Sequence, residues 1–221
     1  MKLAIAIPMK PLPAAKSRLR PALEPRARQR LARTMLEHVM QVAQASQVAT
    51  SMGVISADGH LLQQVGRFGF EPVLESVATG YNQAVQTAIT WTQSKTCEAL
   101  LILPSDLPWL LPEDVQQMAR LGALCRRSVV IAPDAAYRGT NALLLRPPHI
   151  LAPAFGPDSA RQHRQLARAR GISVIIHSSP TLSHDIDLPE DLERWRTINK
   201  VIATTHGTDF ADFSLLLRSS G

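Results

Sequence analysis

Apolar and polar positions along the chain alternate between two periods. Leu3 to Ile7 form an unbroken apolar run stopped by Pro8, as expected of a buried strand. From Pro25 the period changes to that of a helix. Leu31, Met35, His38, Val39 and Val42 fall on one stripe, with Arg28, Arg30 and Arg33 mostly off it. The same reading gives strands at Val48–Ser56, Glu71–Leu74, Glu98–Leu103, Ser128–Ala132, Ala142–Leu145 and Ser173–Ile176. Helices are expected at Gly59–Arg67, from Tyr81 through Ile89, from Pro112, at Asp158–Ala169 and from Pro189 to about Lys200. Strands that alternate with helices predict an α/β fold in three layers, with a mostly parallel central sheet. The two strands near 128–145, joined without a helix, predict a short antiparallel insertion. One domain is expected over residues 1–202, followed by a tail (203–221) that the pattern does not place.

Composition narrows the class. The chain has 221 residues, 45% of them hydrophobic, which is enough for a sizeable core. No apolar run approaches the ~20 residues of a membrane span. The N-terminal apolar run is shorter than a signal-peptide core, so a soluble cytoplasmic protein is expected. Cys97 and Cys125 follow neither a metal-ligand nor a redox spacing and are expected to be buried free thiols. The formal charge of +6 suits a polyanionic ligand. Its basic clusters, at 10–33, 120–127 and 161–170, lack the aromatic interleaving of a single-strand platform. The expected partner is therefore a small phosphate compound and no nucleic acid.

Acids at strand ends carry the chemistry. In an open parallel sheet, ligands bind beyond the carboxyl ends of the strands. Asp106 lies just past the Glu98–Leu103 strand, within Pro104-Ser105-Asp106-Leu107-Pro108. A second acidic cluster is Asp185-Ile186-Asp187, just before Pro189. Taken alone, Asp106 also suits an Asx-turn and Asp187 a helix cap. Together they suit a magnesium ion, which is commonly held by one or two carboxylates plus substrate phosphates. Asp185 is a reserve ligand or an orienting group. Lys10, Lys16 and Arg18 follow the first strand, where a triphosphate can be held and its developing charge stabilised. That loop lacks the glycines of a Walker loop.

Six short motifs occur in order. They are Ile7-Pro8-Met9-Lys10 with Ala15-Lys16-Ser17-Arg18-Leu19, Gly80-Tyr81-Asn82, Ser105-Asp106-Leu107-Pro108, Gly139-Thr140-Asn141-Ala142-Leu143, Phe155-Gly156-Pro157-Asp158-Ser159 with His163, and Asp185-Ile186-Asp187-Leu188-Pro189-Glu190-Asp191-Leu192. The series resembles the 2-phospho-L-lactate guanylyltransferase family (CofC/FbiD), which serves biosynthesis of the deazaflavin coenzyme F420. The resemblance implies a GT-A-like nucleotidyltransferase fold, with GTP and Mg2+ as co-reactants. It implies 2-phospho-L-lactate, phosphoenolpyruvate or 3-phospho-D-glycerate as the small phosphorylated carboxylic acid that accepts GMP. Carried over residue by residue, it implies nucleotide contacts at Pro8, Gly80, Asn82 and Ser105, with Gly80 and Asn82 at the guanosine end. Acceptor contacts fall at Thr140, behind a flexible Gly139, and at Gly156 and Ser159, where a helix start offers unpaired N–H groups. Lys16, Arg18 and Lys10 are the catalytic cations, and Asp106 and Asp187 the metal ligands.

Two positions depart from the family pattern. Tyr81 replaces a smaller aliphatic residue, and Asp158 replaces glycine beside the expected anion site. The acceptor's phosphate is already largely dianionic near neutral pH, so the expected reaction needs no general base. His163 and His184 are read as structural or surface residues. Two other functions stay open at this level: a cytidylyl- or molybdopterin-type nucleotidyltransferase, and a non-catalytic basic module binding nucleic acid. The long helix or the apolar tail is a candidate homodimer contact.

Overall fold

A computed structural model describes residues 1–206, with side chains to 198. Seven strands form one sheet: β1 (Leu3–Pro8), β2 (Ser51–Ser56), β3 (Glu71–Leu74), β4 (Ala99–Ile102), β5 (Ser128–Pro133), β6 (Thr140–Arg146) and β7 (Ser173–Ile176). Their order is β3-β2-β1-β4-β6-β5-β7. All run the same way except β6, which pairs antiparallel with both β4 and β5. The antiparallel insertion is therefore a single reversed strand inside the sheet. As a result, β6 presents its first residue, Thr140, at the edge where the other strands end.

The central strands are apolar on both faces because helices cover both. On one face Leu3, Ile5, Ile7, Leu101 and Leu103 pack under α1 (Pro25–Ala45) and α4 (Pro112–Ala123). On the other, Ala4, Ala6, Leu100 and Ile102 pack under α3 (Tyr81–Gln93) and α5 (Ser159–Ala169). The one-residue alternation along β1 and β4 thus divides the core into two layers. A third cluster joins Leu19, Leu31 and Met35 to Ile186, Leu192 and Trp195, the last two on α6 (Pro189–His206). It pins the segment carrying Asp185 and Asp187 against α1.

Several local expectations change. The helix expected at Gly59–Arg67 is one turn, α2 (Gly59–Leu62), followed by a 3-10 turn over Val65–Phe68. That turn closes on Gly69 at φ 74°, a conformation glycine adopts freely. β2 begins at Ser51 and not at Val48, because Gln47 turns left-handed and the N–H of Thr50 bonds the carbonyl of Leu3. Arg28 is buried, and its guanidinium donates to the carbonyl of Ala15 (3.2 Å), so α1 holds the lysine-bearing loop. Cys97 and Cys125 are half-buried free thiols, set at the surface ends of elements. The helix from Pro189 continues to His206, past the expected boundary at 202, and residues 207–221 lie outside the described residues.

Candidate active site

Three acids and a lysine meet at the carboxyl edge of the sheet. Asp106, Asp185 and Asp187 each place an oxygen within 4.8 Å of the others. The side chain of Asp191 accepts the N–H groups of Asp187 (3.1 Å) and Leu188 (2.8 Å). It thus takes the capping role that Asp187 alone had suggested, leaving the Asp187 carboxylate for the cleft. Ile186, fully buried in the third cluster, turns its two acidic neighbours the opposite way. A hydrogen bond from the N–H of Ile186 to the carbonyl of Asp106 joins the two acidic segments.

Lys16 lies in a left-handed conformation (φ 52°) after β1, its side chain only 7% exposed. Its ammonium donates to Asp106 Oδ2 (2.6 Å), Asp187 Oδ1 (3.3 Å) and the carbonyl of Ile186 (2.5 Å). Burial pulls its pKa down, but the charges of Asp106 and Asp187 outweigh burial and hold it above the usual lysine value. Arg18 donates to Asp187 Oδ2 at 3.1 Å. Asp185 is pushed well above the carboxylate range, by burial first and by its two acidic neighbours next. Three carboxylates against two cations leave a negative charge at a site of hard oxygen donors, which suits a divalent cation.

Two cavities adjoin this cluster, and a third opens beside the first. The central one, about 200 Å³, is lined by Pro8, Lys10, Lys16, Ser105, Asp106 and Asp187. A second, about 640 Å³, holds Arg18, Asn82, Thr140, Gly156, Ser159, Asp185 and Asp187. A third, about 310 Å³, holds Lys10, Glu75 and Gly80 among apolar walls. Tyr81 lines all three. Its ring meets Phe155 edge-on (4.9 Å), and Phe155 meets His163 in the same way (4.9 Å).

The expected nucleotide residues are therefore split. Pro8 and Ser105 line the central cavity and Gly80 the third, but Asn82 faces the second. Both ends of its amide are taken: Nδ2 donates to the carbonyl of Phe155 (3.0 Å), and Oδ1 accepts its N–H (2.8 Å). Asn82 fixes the Phe155 loop. One N–H and one lone pair of the amide remain for other partners. At the start of α5, the N–H groups of Ser159 and Ala160 are already bonded to the carbonyls of Gly156 and Arg138. Fewer donors remain there than a bare helix start offers. Gly139 is held firmly, its N–H donating to Asp134 Oδ2 (2.8 Å) in a space where a Cβ would collide with that carboxylate. Asp158 is left-handed (φ 54°), which explains why glycine suits the position. Its carboxylate accepts from Arg138 Nε (3.0 Å), so its charge is compensated.

His163 is fully buried, and burial lowers its pKa to about 4. The N–H of Ala154 donates to Nε2 (3.2 Å), which places the proton of the neutral ring on Nδ1. Nδ1–H then donates to Thr140 Oγ1 (3.1 Å), leaving the hydroxyl hydrogen of Thr140 to turn into the second cavity. His184 packs against Trp109, and its Nδ1 lies near the carbonyl of Pro180 and the hydroxyl of Ser183. It serves the loop.

Comparison with known proteins decides the class. The family model described as "Guanylyl transferase CofC like" matches residues 3–201. The chain belongs to the CofC-like guanylyltransferase family. Among its relatives, the phosphoenolpyruvate guanylyltransferase of Sphaerobacter thermophilus is 34% identical over 85% of this chain and 89% of that protein. The 3-phospho-D-glycerate guanylyltransferase of Colwellia psychrerythraea is 32% identical over 87% and 90%. The 2-phospho-L-lactate guanylyltransferase of Methanothermobacter thermautotrophicus is 34% identical over 99% and 92%. Solved structures agree in fold. A protein of Desulfovibrio desulfuricans G20, described as a candidate nucleotide-diphospho-sugar transferase, superposes with a TM-score of 0.75 at 15% identity, over 99% of this chain and 98% of that one. A nucleotidyl transferase of Methanothermobacter gives a TM-score of 0.64 at 14% identity, over 89% and 97%. This CofC-like chain is thus a nucleotidyltransferase by family and by fold. Among its described residues, no helix is long and apolar enough to cross a membrane.

Proposed function

We propose that the protein transfers GMP from GTP to the phosphate of a small phosphorylated acid. Phosphoenolpyruvate, 3-phospho-D-glycerate and 2-phospho-L-lactate are the candidate acceptors, since they are named for its relatives. The observation that carries the reading is the Asp106–Asp185–Asp187 cluster with Lys16 buried against it, set between two larger cavities. An oxygen of the acceptor's phosphate forms a bond to the α-phosphorus of GTP. The bond from that phosphorus to the bridging oxygen breaks, and pyrophosphate leaves with the electron pair. The acceptor's phosphate is already ionised, so the protein's work is positioning and charge neutralisation.

The three carboxylates are the residues that would hold Mg2+, which supplies positive charge to phosphate oxygens when bound. Lys16 and Arg18 hold the acids in place and oppose charge that develops on the transferred group. Thr140, with its acceptor lone pair taken by His163, offers its hydroxyl hydrogen to the acceptor in the second cavity. Lys16 and Arg18 are paired with the carboxylates of a local site, which favours a small anion bound with a metal ion over a nucleic acid. The cytoplasm supplies both substrates and is the compartment this reaction requires.

Pyrophosphate release is the test: purified protein and magnesium, with each nucleoside triphosphate crossed against the three acids. GTP with at least one acid is expected to release pyrophosphate, and silence in every combination would overturn the reading. Asp106→Ala and Asp187→Ala are each expected to lower turnover by about 10²–10³-fold or more.

A further inference from the structure

Glu75 is a buried residue whose carboxylate keeps one oxygen unpaired. It follows β3 directly, and its N–H continues the ladder by donating to the carbonyl of Ser56 (2.9 Å). The residue is 8% exposed, and its Oε1 is buried without a hydrogen-bond partner. It lines the 310 Å³ cavity, where Pro8, Met9, Pro11, Ala78 and Ala84 supply apolar walls. Such a group is costly unless a donor arrives. Burial alone pushes its pKa above the usual glutamate value, consistent with a carboxylate that lacks donors.

The cavity's position limits what can fill it. It shares Pro8, Met9, Lys10 and Tyr81 with the central cavity of Lys16 and Asp106, but with the one containing Thr140 it has in common only the Tyr81 side chain. Given the guanylyl transfer proposed above, on which this inference rests, a nucleotide whose phosphates reach Lys16 has its base at this end. Apolar walls suit the faces of a flat ring. A lone carboxylate in such a slot requires an edge bearing adjacent N–H donors. Guanine has one: N1–H beside the exocyclic 2-amino group. Adenine offers a ring acceptor and a C–H along that edge, cytosine offers acceptors, and uracil a single N–H between two carbonyls.

We propose that Glu75 reads the guanine base, its carboxylate accepting N1–H and a 2-amino hydrogen in the cavity beside Gly80. Selectivity for GTP then comes from one buried group that pairs with guanine and repels the acceptor edges of adenine and cytosine.

The test measures magnesium-dependent binding of GTP, ITP, 1-methyl-GTP and ATP to the full chain by titration calorimetry, alongside pyrophosphate release. ITP lacks the 2-amino group and 1-methyl-GTP lacks N1–H. Each is expected to bind the unaltered protein about tenfold or more weakly than GTP, the loss of one charge-assisted hydrogen bond. Glu75→Gln keeps the shape and removes the charge. It is expected to weaken GTP by about 30-fold and ITP by far less, drawing their ratio towards one. An unchanged GTP-to-ITP ratio in Glu75→Gln would overturn the assignment. So would equal binding of GTP, ITP and 1-methyl-GTP by the unaltered protein, a measurement that needs no variant to fold. A protein that releases pyrophosphate from all triphosphates alike would instead overturn the guanylyl reading itself.

Discussion

At the scale of the residue, Lys16 sets the electrostatics of the cleft. Its ammonium is nearly dry and bonded to two carboxylates and a carbonyl. Removing one partner of a fully buried pair costs roughly 3–5 kcal/mol. Asp106 and Asp187 are 20% and 41% exposed, so water replaces part of the lost interaction here. Lys16→Met is therefore expected to cost about 1–2 kcal/mol in magnesium-free thermal melts, with much of the loss recovered when magnesium is added. Turnover should also fall by about 10²-fold or more. A melt that is unchanged and indifferent to magnesium would show that the lysine does not stabilise the acids. Sequence reasoning singled out Lys16, Arg18, Asp106 and Asp187 because ligands of an open parallel sheet bind beyond the carboxyl ends of its strands, where these charges fall. It passed over Glu75, which obeys the same rule after β3. That strand is short and edge-placed, and its exposed Leu74 drew no attention to the next position.

At the scale of the element, α4 and the loop into α6 are tied through one acid. Asp114, buried in the first turn of α4, accepts the N–H of Leu111 (3.0 Å) and the hydroxyls of Ser179 and Thr181 (both 2.6 Å). The segment it fixes leads straight into Asp185 and Asp187. Asp114→Ala removes the acceptor of the Leu111 N–H and of two hydroxyls, which keep only their bond to each other (2.7 Å), and is expected to lower stability by about 1–3 kcal/mol in urea unfolding. A loss below about 0.5 kcal/mol would mean the loop is held by other contacts. The sequence reading located the strands and α-helices of the described residues, though not the 3-10 turns, because a parallel sheet buried on both faces writes itself as apolar runs. The tertiary role of Asp114 lay outside that reading, because its hydroxyl partners sit some 65 residues away, beyond the reach of any local pattern. Arg28 shows the same gap: periodicity placed it off the stripe, and a carbonyl from a preceding loop drew it in.

At the scale of the whole molecule, the buried His163 links packing to pH. Its pKa falls from 6.5 to about 4 on folding, so the unfolded chain binds the extra proton between those values. Its contribution is complete above pH 6.5 and is lost as pH falls towards 4, by up to about 3 kcal/mol. Asp185, whose pKa is raised, acts with the opposite sign in an overlapping range, so the comparison must be between proteins. The stability difference between the unaltered protein and His163→Asn is expected to shrink as pH drops from 7 to 4. A constant difference would show that the histidine stays neutral in neither state or both. Acids after strand ends pointed to the carboxyl edge of the sheet, whereas the division into three cavities depends on packing around Tyr81 and Phe155. The reversed strand gives this layout a final property. β6 delivers Thr140 by its first residue, after a turn held by Asp134. The lip of the second cavity is thus a hairpin tip, while Lys16 and Asp106 come after β1 and β4, which pair in parallel at the centre of the sheet. A hairpin tip can be recut in length and sequence without disturbing that ladder. On the proposed reading, the nucleotide side of the cleft sits on central strands and the acceptor side on a hairpin tip, so relatives sharing one reaction can diverge in what they guanylylate.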